Sequence, residues 1–409
     1  MQATALHDTG YSWFRLVITL CVAVVGNAGT WAIVIVLPAL QAEFGIDRAG
    51  AALPYTATMI GFGLGNLIAG RLVDRHGVTW VLILAAIMIA LSFGLSAVAV
   101  SVPLLALLHL FVGLGSGACF GPLMADISHW FVRFRGIAVA ITASGNYLSG
   151  AIWPLLLSGV AAQYSWRGVF VVLAALSVLT IVPLALVLGR RHQGRLEKAS
   201  GGPKYIPNGG RGIFAPNQLT ILLGMAGIGC CVAMAMPQVH IVALSVDLGF
   251  GAGTGSRLLA VMLVGGVISR LVFGALSDRL GGLRVLLIGS FGQMLALVLY
   301  LPFDGLTALY ATSLIFGLSQ GGIVPAYAFV VREFMPAEEA GKRVGFVISA
   351  TVLGMALGGW LSGMIYDLSG NYQMAFLNGI GWNLLNLAII TFLLWRSGIA
   401  GRKRKPLTS

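Results

Sequence analysis

Charge is what this chain most lacks. Charged residues make up 9% of its 409 positions, against roughly a quarter in soluble domains. Acid is scarcer still, with 13 Asp and Glu against 25 Lys and Arg. So few polar side chains cannot cover a soluble multidomain enzyme. Apart from Asp126, the acids fall in loops or at the ends of apolar runs, so paired catalytic carboxylates at membrane depth are excluded. The four cysteines, Cys21, Cys119, Cys230 and Cys231, have neither zinc-ligand spacing nor a disulfide framework, and read as small packing residues. Glycine is abundant, at 56 residues, but scattered at helix-packing intervals without a phosphate-binding loop. No enzyme, metal site or cofactor is expected.

What fills the chain instead is apolar sequence: 58% hydrophobic residues and a mean hydropathy of +0.93. About 20 mostly apolar residues cross a bilayer as a helix. Twelve such runs are readable, near 14–40, 50–71, 79–100, 103–127, 136–160, 167–189, 215–243, 254–276, 284–302, 305–330, 343–366 and 373–395. The expected fold is an all-α polytopic membrane protein. The first run lacks a basic start and a small-residue cleavage site, so it reads as a retained span.

The net charge of +12 does not indicate nucleic acid, because the basic residues gather in alternate connections. Arg71, Arg75, Arg133, Arg135, the 190–211 stretch, Arg279, Arg284, the 332–343 stretch and the 396–405 tail lie on one side. Arg48, Arg167 and Arg257 lie on the other. By the positive-inside rule both termini are cytoplasmic. The RKRK run at 402–405 reads as a topology anchor with lipid contact secondary. Residues 190–213 are basic and rich in Gly and Pro, a linker between halves at 1–189 and 214–409.

Those halves repeat. GRLVDRHG (70–77) follows the second run and GALSDRLG (274–281) follows the eighth, with Gly45 and Gly249 equally far upstream. The fourth and tenth runs share a GACFGP/GGIVP pattern ending at Pro122 and Pro325. Two repeated six-span halves resemble the major facilitator superfamily. In that family the octets latch the cytoplasmic side when the outer side is open. The resemblance thus assigns Asp74, Arg75, Asp278 and Arg279 to gating, with Asp126 as an acidic partner.

Within the eighth run, GGVISRLVFG (265–274), a guanidinium interrupts the apolar pattern at Arg270. An intramembrane charge costs several kcal/mol, about 2.5–3.5 on insertion scales, and so seeks a partner. The partner is either another helix or an anionic substrate held by the planar fork. DTGYSW (8–13) resembles the signature before the first helix of monocarboxylate transporters. WFVRFRGIAVAITASGNYLSG (130–150) resembles their second signature. Arg270 followed by Gly274 also matches that family and the oxalate–formate exchangers, where the arginine binds substrate carboxylate. The chain departs from them at Gly266, Trp31 and Thr351, which stand where relatives carry an Asp and two lysines. One cation implies one carboxylate, and the familiar proton relay lacks its parts.

Other polar and aromatic residues on the cavity-forming helices extend the candidate binding set: Asn27, Trp31, Asn66, Phe120, Asn146, Tyr147, Gln320 and Tyr327. Each also has a packing reading. His240, after Pro237, is either an outer gate contact sensitive to protons or a packing histidine. His109 stands four residues before Gly113, where drug–proton antiporters carry an arginine, and reads as structural. The expected function is monomeric transport of a small organic anion by alternating access, with protons as a further partner, in a bacterial inner membrane. Alternatives are a larger aromatic or heterocyclic solute such as a vitamin, drug–proton antiport, and a sensor without flux.

Overall fold

The computed structural model describes residues 7–189, 215–302, 304–335 and 337–397. The linker at 190–213 and the basic tail from 398 lie outside them, as does the side chain of Asp74. Among the described residues there is no strand. Eleven continuous apolar stretches are long enough to cross a bilayer. One of these, Arg135–Val187, has 53 residues. At 1.5 Å per residue that is about 80 Å, far beyond a hydrocarbon core of about 30 Å. Ser165, at φ 63° and ψ 178°, breaks it into two spans, 135–164 and 166–187. Twelve spans result, as the sequence implied.

The other spans are Gly10–Phe44 (first), Arg48–Val73 (second), Val78–Ser96 (third), Val102–Ser128 (fourth) and Pro216–Asp247 (seventh). They continue with Ala252–Leu280 (eighth), Gly282–Leu299 (ninth), Leu306–Phe334 (tenth), Glu339–Ser369 (eleventh) and Gln373–Arg396 (twelfth). Three spans contain breaks: the first at Asn27, the fourth at Cys119–Phe120 and the tenth at Gly321–Gly322. Asp47 caps the second span by accepting the Gly50 N–H at 2.7 Å.

Missing side chains explain why the second and fourth spans lie so close. A Cβ on Gly61 or Gly65 would strike the carbonyls of Leu110 or Leu114, and one on Gly113 or Gly117 those of Thr58 or Phe62. The eighth and tenth spans repeat the device, with Gly317 and Gly321 against the carbonyls of Met262 and Gly266. Lipid tails give helices no hydrophobic reason to associate, so close backbone approach supplies the packing energy. The sequence repeat is therefore a repeat of contacts.

The halves meet at the end away from the octets. Arg48 pairs with Asp247 at 2.9 Å and 3.1 Å, while the backbone N–H groups of Arg48 and Ala49 each donate to Asp367 at 2.8 Å. Below them Gly363 lies on the backbone of Arg48 and Ala49, Tyr55 lies on Gly359, and Thr56 donates to the Ala356 carbonyl at 3.1 Å. Toward the octets, Gly70, Gly274, Gly341 and Gly345 have nothing within reach of an added Cβ. Arg75, Asp278 and Arg279 are exposed and form no ion pair among the described residues. The far end is closed, and among the described residues no ion pair ties the octets together.

Candidate functional site

Arg270 stands about two thirds of the way along the eighth span, toward the octet, and is 8% exposed. Its Nε donates to the Gly321 carbonyl at 3.2 Å, where the tenth span unwinds. Its Nη1 donates to the Ala143 carbonyl of the fifth span, in the other half. The guanidinium carbon lies 4.2 Å from the centre of the Tyr147 ring. Among the described residues no carboxylate lies within 4.0 Å of it, and its side-chain partner is Tyr147. Two neutral carbonyls and a ring face orient this cation without neutralising it.

Gly266, one turn before Arg270, is where Tyr147 fits: a Cβ there would come within 3.2 Å of the ring. The position at which the related pattern has an Asp is thus filled by a tyrosine from the fifth span. Trp31 sits in the same corner, its Nε1 donating to the Asn146 carbonyl at 2.9 Å and its ring against Gly150. Thr351 is buried and donates to its own helix at Ile348, 2.7 Å away.

The remaining candidates divide. Asn66 corresponds to Arg270 in the first half and does the matching local work. Its Oδ1 accepts the Gly121 N–H at 2.9 Å where the fourth span unwinds, beside Phe120, whose ring packs 5.4 Å from Phe62. Asn146 donates to Asn27 at 3.1 Å, and Asn27 to the Ala23 carbonyl at 2.7 Å, across the break in the first span. Gln320 accepts from Gln238 at 2.6 Å, but its own Nε2 is buried without a partner. Tyr327 donates to Asn386 at 2.7 Å inside a network with Ser290 and Asn383. His240 belongs to the far-end closure, not to the Arg270 cluster. His109 bonds the Leu105 carbonyl at 2.9 Å between Phe93 and Phe170, a packing arrangement.

Asp126 is placed differently from the expectation. Its Oδ2 accepts from Arg15 Nε at 3.1 Å and Nη2 at 2.8 Å. Arg15 also donates to the Leu188 carbonyl at 3.1 Å and lies 4.5 Å over Trp130. The acid ties the first, fourth and sixth spans together within one half. Beside this clamp, Asp8 accepts N–H bonds from Val132, Arg133 and Phe134 at 3.3, 3.0 and 3.3 Å. The Arg133 N–H and its neighbours hold this carboxyl below the ordinary carboxylate range. The two short signatures read in the sequence therefore dock on each other.

Sequence reading missed Arg15, Arg48, Gln238 and Tyr55. Tyr55 is 1% exposed with a hydroxyl that has no partner, in the far-end closure on Gly359. Arg48 sits among residues that look like ordinary loop charge. Only its juxtaposition with Asp247 and Asp367, far along the chain, reveals a lock.

Twelve spans in two repeated halves, with a buried guanidinium between them, define the class of polytopic two-half membrane transporters. The sequence profile of the Major Facilitator Superfamily matches residues 19–251 and 221–409, and the chain belongs to that family. It is similar to Monocarboxylate transporter 13 of Bos taurus, 28% identical over 76% of this chain and 72% of that protein. Monocarboxylate transporter 11 of Homo sapiens is also 28% identical, over 76% of this chain and 67% of that one. An uncharacterized MFS-type transporter of Bacillus subtilis, YcxA, is 25% identical over 88% of this chain and 90% of its own length. Among solved structures, a bacterial homologue of the lysosomal transporter Spinster, inward-facing and occupied, aligns with a TM-score of 0.70. It is 15% identical and the match covers 98% of this chain and 100% of that one. The nucleoside transporter NupG aligns at 0.69, with 12% identity over 92% and 99%. These two show the fold alone. The members of this family are transporters, not enzymes.

Proposed function

We propose that the protein carries a small organic monoanion across the membrane by alternating access, with Arg270 binding its carboxylate. The observation that carries the reading is the buried guanidinium between the halves, bound to carbonyls and a ring but to no acid. A carboxylate meeting the guanidinium completes the charge that the protein leaves open. The names of the curated relatives support the class of cargo. Tyr147 and Trp31 shape the adjoining wall, and the unpartnered amide of Gln320 offers a second donor. The distribution of basic residues supports a cytoplasmic octet end and cytoplasmic termini. Residues 190–213 join the halves, and the octets, with Asp74, Arg75, Asp278 and Arg279, latch the cytoplasmic side when the far end opens.

Radiolabelled uptake into proteoliposomes tests this with a panel of short monocarboxylates, dicarboxylates and vitamins. A charge-assisted hydrogen bond is worth about 1.5–3 kcal/mol. Arg270→Lys, which keeps charge but loses the fork, therefore lowers kcat/KM for a monocarboxylate by roughly 10- to 150-fold. Arg270→Ala lowers it further. Wild-type rates in Arg270→Ala, or uptake confined to uncharged solutes, refute the assignment.

A further inference from the structure

The far-end closure contains a buried imidazole that carboxylate binding at Arg270 does not use. His240 is fully buried, with Nε2 2.8 Å from the Gly359 carbonyl and Nδ1 3.1 Å from the Tyr372 hydroxyl. A peptide carbonyl only accepts, so Nε2 carries the ring hydrogen. In the neutral ring Nδ1 then accepts from the Tyr372 hydroxyl.

Both partners of this ring carry contacts between the halves. The Arg48 guanidinium of the second span lies 5.6 Å from the Tyr372 ring and 4.6 Å from the Tyr366 ring. Those two rings are themselves 4.5 Å apart. On the other side, a Cβ at Gly359 would come within 2.8 Å of the Tyr55 ring, so Tyr55 rests on the backbone that His240 holds. The imidazole thus fixes two surfaces on which the first half closes.

A proton on His240 alters both. Nδ1 becomes a donor, so the Tyr372 O–H has to turn away. A second cation then adjoins the phenol that already faces Arg48. The charged and titratable groups around the ring come from every neighbouring element. They are Arg48 from the second span, Asp247 from the seventh, Tyr366 and Asp367 from the eleventh, and Tyr372 before the twelfth. Asp247 is engaged bidentately by Arg48, and the oxygens of Asp367 take the N–H groups of Arg48 and Ala49. Neither carboxylate hydrogen-bonds the imidazole. Buried positive charge without an anionic partner is costly, and here it is relieved when the halves part and water enters.

We propose that His240 is a proton-binding site that controls the far-end gate: the neutral ring holds the gate shut, and the protonated ring releases it. Acid on that side then favours exposure of the central site to it. The inference stands whichever solute Arg270 binds, because it concerns the gate alone.

The test uses full-length protein in lipid nanodiscs, with spin labels at Val100→Cys and Gly253→Cys. These exposed positions sit at the far end, one in each half. A Cys21→Ser background removes the exposed native thiol, the other three cysteines being buried. Pulsed electron–electron resonance reads the distance between the labels. The long-distance population of the wild type rises at least about fivefold between about pH 7.5 and about pH 5.5, where an imidazole titrates. His240→Gln offers a neutral N–H donor and a carbonyl acceptor of similar reach, and stays at the short distance at both pH values. His240→Asn replaces it if the glutamine variant is not monodisperse. A wild-type distribution indifferent to pH, or an equal response in the amide variant, overturns the proposal.

Discussion

Gly363→Ala should open the far end without unfolding the protein. A Cβ at Gly363 would lie 2.8 Å from the Arg48 carbonyl oxygen and 2.9 Å from the Ala49 N and Cα. All three are backbone atoms of the other half, held by Asp367, so no side chain can swing aside. Ordinary contact requires the halves to separate there by about half an ångström, and overpacking of this kind costs about 1–3 kcal/mol. Alanine recovers up to about 1 kcal/mol of helix propensity in either state, so it does not offset a difference between states. The closed population should fall by roughly 5- to 150-fold relative to the open one. Gly354→Ala is the comparison: its Cβ would meet the Ile228 carbonyl at 2.7 Å and the Cys231 Cβ at 2.9 Å, within one half. That strain persists in every state, so it should lower the melting temperature and leave the gate alone. Label distances across the far end, with thermal unfolding in detergent, separate the two. If Gly363→Ala lowers Tm as much as Gly354→Ala and leaves the label distances unchanged, the closure does not rest on this contact.

Three further outcomes follow from the geometry. Asp126→Asn removes the carboxylate charge facing Arg15, which is 2% exposed beside an acid that is 18% exposed. The loss should be about 2–4 kcal/mol of stability, seen as a lower Tm with an unchanged far-end distance; a gate shift without a stability loss would return Asp126 to the latch. For Asp8 the folded-state pKa lies below the ordinary 3.8, so its contribution is complete above that value and lost as pH falls through the lower one. Hydrogen exchange at 132–134 should accelerate only as the medium becomes more acid than about pH 4, and Asp8→Asn should remove the transition. Tyr327→Phe leaves the buried Asn386 carbonyl without its donor, costing about 1–3 kcal/mol. Uptake kinetics at saturating substrate should stay within about twofold, whereas a large rise in KM would place Tyr327 in the binding site.

Much of the fold was legible because a bilayer makes it so. Runs of about 20 apolar residues can only be helices there, and their number followed from length and breaks alone. The fifth and sixth spans show the margin: the chain runs helical through the connection, and a single backbone reversal at Ser165 divides it. Arg270 was legible for the same reason, since one guanidinium in an apolar run has to be explained. Its surroundings were not. Nothing in the local pattern tells that its partners are the carbonyls of Ala143 and Gly321, or that Tyr147 occupies the space above Gly266. Asp126 shows the opposite case, in which a family pattern suggested one partner and proximity supplied Arg15.

Composition and periodicity by themselves determined a twelve-span membrane protein with an internal repeat and a cation at the eighth span, because hydrophobic length and stray charge are local properties of the chain. Tertiary structure alone decided which end is shut and what shuts it. Arg48 lies on the second span, His240 and Asp247 on the seventh, and Gly359 and Asp367 on the eleventh, and their meaning depends on distances of a few ångströms that no linear pattern encodes. Hydrogen bonds and buried charge are settled by the nearest partner in space, and that partner here comes from a helix far away along the chain.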